Sequence, residues 1–414
     1  MSNRCAGHRI LALLVTSAEG YWPLCVQNTR QHLGEASRLR ALDVAADGHQ
    51  GALPNKPLSA GRRPGQGLRG GEGAASPGVA FATRHMRAAA VQRLMKVFVT
   101  RRIPPEGLAA LSRAGDVQQW DSDEPIPQSE LLAGLAGKDG LLCLLSDRID
   151  KEVLDAAGPS LKVISTLSVG YDHLAIEEIK KRGIRVGYTP DILTDATAEL
   201  TVALLLATSR RLPESVEEVK NGGWTTWKPL WMCGYGLSNS TVGIIGLGRI
   251  GQAVAHRLKP FGVKKFLYAG RHPKPEAAME LKAEFVPLAK LAEESDFVIV
   301  TCSLTPDTQG MCNRDFFCKM KKTSVFINTS RGTVVNQKDL YEALVNGHIA
   351  AAGLDVTTPE PLPTDNPLLC LKNCVILPHI GSATYATRNA MSVLAANNLL
   401  AGLKGESMPS ELKL

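Results

Sequence analysis

Residues 241–251 read TVGIIGLGRIG, a short apolar run that continues directly into three glycines with the spacing GxGxxG. The apolar run is typical of a buried parallel strand. The glycines allow a sharp turn, the close approach of a pyrophosphate, and tight packing of the next helix, which we expect from Arg249 to Lys259. The free N–H groups of that helix favour an anion. The predicted dinucleotide-binding residues are Gly246, Gly248, Arg249, Ile250 and Gly251.

A second strand is predicted at Lys265–Ala269, followed by GRHPK at 270–274, which contains no acidic residue. NAD sites usually place Asp or Glu at this point, where it binds the ribose 2′-hydroxyl. Arg271, helped by Lys274 and His272, is instead suited to a 2′-phosphate. The alternative interpretation is a solvated basic loop. We therefore expect NADPH, with NADH as a weaker cofactor.

Further buried strands are predicted at 295–300, 323–328 and 350–356, each followed by small or polar residues. Ligands of open parallel sheets bind outside the carboxyl ends of the strands. Ser303, Thr329 and Arg331 are therefore expected to line the crevice. A planar guanidinium such as that of Arg331 can grip a carboxylate at two points and polarise the adjoining carbonyl, although an isolated Arg more often forms a structural salt bridge.

Four motifs in order resemble the D-isomer-specific 2-hydroxyacid dehydrogenases, over about residues 95–414. They are GLGRIG at 246–251, NTSRG at 328–332, LDV with PEP at 354–361, and PHIGSAT at 378–384. The similarity extends to the vertebrate glyoxylate/hydroxypyruvate reductases of that family at 95–100, 120–125, 224–229 and 409–414. Thr329 and Thr333 depart from the usual pattern, in which an apolar residue and Asp are common.

The resemblance implies NADPH-dependent reduction of glyoxylate to glycolate and of hydroxypyruvate to D-glycerate. By this resemblance His379 is the proton donor, Glu360 hydrogen-bonds and tunes it, and Arg331 binds the substrate carboxylate and carbonyl. A histidine is well suited to general acid–base work near neutral pH. Asp355 is then expected beside the nicotinamide end of the cofactor, with Gly381 also in the cofactor site.

The resemblance also supplies the remaining substrate contacts. Backbone N–H groups of Val169 and Gly170 are expected to hold the carboxylate, and Ser382 is expected nearby. The segment Trp224–Trp231 carries three of the five tryptophans of the chain, which in a connecting segment favours an interface over a core cluster. We expect it to form a homodimer, with Trp227 reaching the substrate pocket of the partner.

The order of elements predicts an α/β fold with two Rossmann-like, doubly wound parallel-sheet domains. A flavodoxin-like substrate domain is expected at 95–190, with the C-terminal helix 379–414 returning to it. The NADP-binding Rossmann domain is expected at 191–378, inserted in the substrate domain. Hinges near Thr194 and Pro378 would let the site close.

Residues 1–94 have a different character. Up to residue 85 they hold ten Lys or Arg against five Asp or Glu, so the tail accounts for most of the net charge of +7. We expect disorder there, because a Gly-rich stretch without periodicity buries little apolar area. A mitochondrial targeting segment, a basic binding arm and translated sequence upstream of a start at Met86 are the alternatives, and we favour the last.

The composition fits a cytoplasmic enzyme without nucleic-acid or membrane partners. No apolar run approaches the roughly 18 residues of a membrane span. The nine cysteines lack CxxC pairs and metal-ligand spacing, so we expect reduced thiols and no metal. A small 2-oxo acid is the expected substrate. Two rivals stay open: a dehydrogenase-like corepressor that senses a nucleotide, and 3-phosphoglycerate dehydrogenase, which generally prefers NAD.

Overall fold

The computed structural model describes residues 94–414. The predictions of disorder, targeting or upstream translation for the N-terminal tail concern residues that lie outside this part of the chain. None of the helices among residues 94–414 combines the length and the apolar character that a membrane span requires.

The first of two sheets contains five strands, which are all parallel in the order β2-β1-β3-β4-β5. The strands are β1 Met95–Val99, β2 Gly115–Gln119, β3 Gly140–Cys143, β4 Val163–Thr166 and β5 Arg185–Gly187. The helices between them are α1 Pro105–Ser112, α2 Gln128–Leu135, α3 Lys151–Ala157 and α4 Ile176–Lys181. This strand order is the flavodoxin-like one.

Two helices, α5 Thr194–Ser209 and α6 Leu212–Lys220, lead to a second sheet of seven parallel strands in the order β12-β11-β10-β9-β6-β7-β8. Its strands are β6 Thr241–Ile245, β7 Lys265–Ala269, β8 Ala283–Phe285, β9 Phe297–Val300, β10 Val325–Asn328, β11 Ala351–Leu354 and β12 Cys374–Ile376. Its helices are α7 Arg249–Leu258, α8 Pro275–Leu281, α9 Leu288–Glu294, α10 Arg314–Lys319 and α11 Gln337–Val345.

Alternate residues of each strand enter separate cores on the two faces of a sheet, as a period of two requires. In the first sheet, Phe98 and Ile164 belong to one core cluster, whereas Val97 and Val163 belong to the other. The second sheet is covered on both faces in the same way. Because both faces are buried, its strands consist almost entirely of apolar residues.

The last helix, α12 Tyr385–Leu403, packs on β3, β4, β5 and α1 of the first sheet. The chain beyond it lies against β5, where Arg185 donates two 2.7 Å hydrogen bonds to the Glu411 carboxylate and Leu412 N donates to Val186 O at 2.8 Å. The C-terminal segment therefore returns to the first sheet. The helix is shorter than the predicted 379–414: residues 379–384 form a loop, because the N–H groups of His379, Ile380 and Gly381 bind Asp355.

The predicted fold class is confirmed: the chain forms two parallel-sheet α/β domains. The boundaries at 190 and 378 and the hinges remain predictions, since the described residues 94–414 all belong to one compact set of contacts.

Candidate active site

The carboxyl ends of the two sheets enclose a cavity of about 230 Å³. Loops from both sheets line it, which places it where parallel sheets bind their ligands. The predicted site residues in its wall are Val169, Gly170, Ile250, Ser303, Thr329, Arg331, Asp355, His379, Gly381 and Ser382. A larger cavity of about 430 Å³ lies at the amino ends of β10, β11 and β12, and no predicted site residue lines it.

Arg331 follows β10 and connects the loops of the two sheets. Its Nε donates to Asp172 Oδ1 at 3.0 Å, and its Nη1 donates to Ser330 O at 2.9 Å. The guanidinium packs directly on Gly170, where an added Cβ would lie 1.7 Å from Arg331 Nη2. Any residue larger than glycine at 170 would therefore displace the guanidinium. Nη2 has no hydrogen bond with residues 94–414 and is left available for a ligand.

His379 and Glu360 form the predicted pair. The two side chains are joined by a 2.8 Å hydrogen bond between His379 Nδ1 and Glu360 Oε2, and Glu360 Oε1 accepts from Thr357 N at 2.9 Å. Burial raises the pKa of the Glu360 carboxyl, but the hydrogen bond and the positive charge of His379 outweigh it, so this pKa lies below its ordinary value. The ionised carboxylate fixes the ring with Nδ1 as donor, and Nε2 is the nitrogen left for a substrate.

The loop that carries His379 is held by Asp355 at the end of β11. The Asp355 carboxylate is 2% exposed and accepts from Ile380 N and Gly381 N, both at 2.8 Å, while its backbone O accepts from His379 N. His379 adopts a φ of 55°, in the left-handed region. Burial raises the pKa of Asp355, and these N–H groups oppose the rise. Asp355 lines the cavity, and its contact with a cofactor remains a prediction.

The glycine turn has the geometry that its sequence predicts. Gly246 has a φ of 96°, and a Cβ on Gly251 would lie 2.4 Å from Gly246 O, so the turn and the helix both require glycine there. A Cβ on Gly248 would meet nothing within 4 Å. The space in front of the α7 N-terminus is therefore open to an anion. Arg249 points aside and pairs with Asp191.

The basic residues Arg271, His272 and Lys274 directly follow β7, which pairs with β6 so that Gly246 N donates to Ala269 O at 2.8 Å. All three are exposed, and their side chains make no hydrogen bond or ion pair with residues 94–414. They are therefore free to bind a ligand beside the glycine turn.

Two charged residues that line the cavity were missed from the sequence. Asp172 binds Arg331, although its segment gave only a backbone prediction. Arg388 of α12 also lines the cavity, and its Nε is buried without a hydrogen-bond partner in the described chain. Burial lowers the pKa of its guanidinium. The sequence contained little indication that Arg388 lines the cavity, because an Arg in a predicted helix, six residues after Ser382, usually lies on the protein surface.

The tryptophan segment lies outside this cavity. Trp227 is 80% and Leu230 is 89% exposed, and Trp224 is exposed as well. Lys228 Nζ lies 4.9 Å from the centre of the Trp231 ring. A run of exposed large apolar side chains is typical of a surface that another chain covers.

Comparisons with known proteins agree with this geometry. Residues 202–381 match the D-isomer specific 2-hydroxyacid dehydrogenase NAD-binding domain. The glyoxylate reductase/hydroxypyruvate reductase of Homo sapiens is 75% identical over 324 residues, which cover 78% of this chain and 99% of the human protein. The glyoxylate reductase of Thermococcus kodakarensis is 47% identical, over 76% of this chain and 95% of its own length.

A solved structure with the same fold is the NADPH-dependent glyoxylate/hydroxypyruvate reductase from Sinorhizobium meliloti in complex with NADP and malonate. It is 32% identical with a TM-score of 0.67, and the alignment covers 77% of this chain and 96% of that one.

The chain belongs to the D-isomer-specific 2-hydroxyacid dehydrogenase family. The predicted class of enzyme, an NAD(P)-dependent oxidoreductase, is thereby confirmed. The roles of individual residues remain predictions.

One group near the cavity gives a pH-dependent stability. Burial lowers the pKa of His173 from 6.5 to about 4, with Asp172 opposing and Arg331 assisting the shift. Between pH 6.5 and about pH 4, His173 is protonated in the unfolded chain but not in the folded chain. The stability of the fold therefore falls as the pH drops through this window. The free energy of unfolding is therefore lower at pH 5 than at pH 7 by on the order of 2 kcal/mol, because each pH unit within the window costs about 1.4 kcal/mol.

We therefore expect the wild type to lose more stability between pH 7 and pH 5 than His173→Gln, which cannot be protonated. Urea unfolding at the two pH values measures the difference, with His348→Gln as a control at an exposed histidine. Equal losses in the wild type and His173→Gln would contradict the expected cost.

Proposed function

We propose that the protein reduces glyoxylate to glycolate and hydroxypyruvate to D-glycerate, using NADPH. The arrangement that carries the proposal is a cavity lined by the cation Arg331 and by His379, which is hydrogen-bonded to Glu360, beside an open glycine turn. The human relative named for both reductions supports the choice of substrates.

The substrate carboxylate is held by Arg331 and the loop after β4. Arg331 Nη2 supplies a charged donor, and the N–H groups of Val169 and Gly170 lie in the same cavity wall. A charged donor combined with neutral backbone donors fixes an anion in both position and orientation. The ketone carbon next to the carboxylate is thereby placed within the cavity that His379 also lines.

His379 Nε2 then donates a proton to the carbonyl oxygen of the substrate. Glu360 holds Nδ1–H, so it stabilises the imidazolium before the transfer and fixes the tautomer after it. Asp355 keeps the His379 loop in place through three backbone hydrogen bonds. When bound, NADPH supplies the hydride that completes the reduction.

The residues present fit a phosphorylated dinucleotide. The open space at Gly248 lies before the N-terminus of α7, where N–H groups and the helix dipole favour a pyrophosphate. Arg271 and Lys274 are unpaired cations after the end of β7, and residues 270–274 include no carboxylate that could bind a ribose 2′-hydroxyl. This charge pattern favours NADPH over NADH.

The exposed segment 224–231 supports a homodimer. Its apolar side chains would be removed from water by a second copy of the chain. Trp227 is the residue proposed to reach the partner's substrate cavity. Cys143, Cys302 and Cys312 are free thiols, which fits the reducing cytoplasm as the proposed location.

His379→Gln should lower kcat by two to four orders of magnitude, the usual contribution of a positioned general acid, while NADPH binding stays intact. Steady-state kinetics and a fluorescence titration with NADPH measure the two quantities. A fully active variant would contradict the assigned proton donor.

Arg271→Ala should weaken NADPH binding by at least tenfold and leave NADH binding nearly unchanged, because only NADPH carries the 2′-phosphate. Dissociation constants for both cofactors measure this, with Lys404→Ala as a control at an exposed cation on another helix end. Equal weakening of both cofactors would remove the 2′-phosphate role.

Sedimentation of the full chain should give the mass of a dimer, and Leu230→Asp should shift it towards monomer by placing a charge in the covered surface. Tyr385→Asp, at a fully exposed position on α12, is the matched control. A monomeric wild type at micromolar concentration would refute the homodimer.

A further inference from the structure

A chain of three hydrogen bonds runs behind the loop 168–173. His173 Nε2 lies 3.0 Å from Thr166 Oγ1. Thr166 Oγ1 lies 2.8 Å from Ser168 Oγ, which in turn donates to Gly170 O at 2.7 Å. Thr166 and Ser168 are buried, so water does not compete for these bonds.

Counting protons gives every bond in this chain a direction. A carbonyl oxygen only accepts, so the single hydrogen of the Ser168 hydroxyl goes to Gly170 O. Two hydroxyl oxygens at hydrogen-bond distance need a hydrogen between them. Because the Ser168 hydrogen is already used, Thr166 must donate its own hydrogen to Ser168 Oγ. Thr166 Oγ1 is left as an acceptor, so His173 Nε2 carries the hydrogen of the last bond.

The bond from Ser168 to Gly170 closes a ring of atoms that contains the peptide N–H groups of both Val169 and Gly170. A glycine backbone is otherwise free to rotate. Arg331 packs on one side of Gly170, and its bond to Asp172 holds the far end of the loop. A hydrogen bond of 2.9 Å from Thr189 N to Ser168 O holds the peptide that contains the Val169 N–H, and the ring adds a constraint that acts on both N–H groups.

We propose that His173 is a positioning residue for the substrate-carboxylate site, acting through Thr166 and Ser168 to aim the backbone N–H groups of Val169 and Gly170. This inference rests on the proposed function, in which those groups hold the carboxylate of a 2-oxo acid. His173 itself does not touch the substrate.

The ionisation of His173 agrees with this role. Burial lowers its pKa to about 4, so the ring is neutral near pH 7. A neutral ring carries one N–H, and the hydrogen-bond chain requires it at Nε2. A second proton on Nδ1 would place a positive charge near the positive charge of Arg331. This repulsion contributes to the lowered pKa of His173.

Three substitutions test the chain of bonds. His173→Phe keeps a ring but removes the donor, and Thr166→Val keeps the shape but breaks both bonds of the threonine. His173→Gln places an amide N–H near the position of Nε2. His348→Phe is the control, because this histidine is exposed and outside both sheets.

We expect His173→Phe and Thr166→Val to raise KM for glyoxylate and for hydroxypyruvate by the same factor, on the order of tenfold, as the loss of about one hydrogen bond predicts. The factor is shared because both substrates carry the same carboxylate. The Kd for NADPH should stay unchanged, and His173→Gln should recover most of the lost affinity. Unchanged KM values, or an equal loss of NADPH binding, would overturn the proposal.

A second measurement does not depend on turnover. Nitrogen NMR of the His173 ring in the full chain should show a neutral imidazole with the proton on Nε2 at pH 7. A proton on Nδ1, or a charged ring, would overturn the direction of the bonds. A wild type that turns over neither acid would contradict the proposed function, whereas an active wild type with unaffected variants would contradict this inference alone.

Discussion

The ion pair between Arg331 and Asp172 is the contact on which the site depends, because it joins the loop after β10 of one sheet to the loop after β4 of the other. The same guanidinium lies on Gly170, which brings a cation within reach of the backbone N–H groups of that loop. A partly buried guanidinium with one free nitrogen is a strong anion site, because its charge is poorly screened. The proposed carboxylate site therefore exists only where the two sheets meet.

Within residues 94–414, the pair His379 and Glu360 is held by the second sheet alone, through hydrogen bonds and not by an ion pair between the sheets. His379 and Glu360 both lie in loops beyond strands of the second sheet, and the Asp355 carboxylate holds the His379 loop through backbone N–H groups. The buried Asp355 carboxylate restricts the loop more firmly than apolar packing alone, because its hydrogen bonds are directional. The proposed proton donor is then held at a fixed place by the loop, while the strands beneath it supply a largely apolar support.

The sheets and the glycine turn could be predicted from the sequence. Burial requires apolar residues in the strands, and the turn requires glycines at the GxGxxG spacing, so both leave a local pattern. The strand at Lys265–Ala269 appears with the predicted bounds. Sequence spacing did not reveal Asp172 as the partner of Arg331, since the two residues are far apart in the chain and meet only after both sheets form. The family resemblance predicts Asp355 beside the cofactor, but the sequence did not reveal its bonds to the His379 loop, because a strand-end carboxylate has no local signature of its partners.

The hydrogen-bond chain behind loop 168–173 was invisible for a related reason. Thr166, Ser168 and His173 are separated by two and five residues, a spacing with no regular period, and only the turn of the loop brings them together. Polar residues in such a loop are usually taken as solvated. Here Thr166 and Ser168 are buried, and counting the hydrogens assigns a donor and an acceptor to each hydrogen bond, which supports the proposed positioning role.

NADPH oxidation by the full chain in the presence of hydroxypyruvate, with NADH and a mixture without substrate in parallel, tests the central claim most directly. The account predicts rapid turnover that requires the 2-oxo acid and is faster with NADPH than with NADH. Tight NADPH binding without turnover would contradict it and would indicate a protein that senses the nucleotide instead of using it.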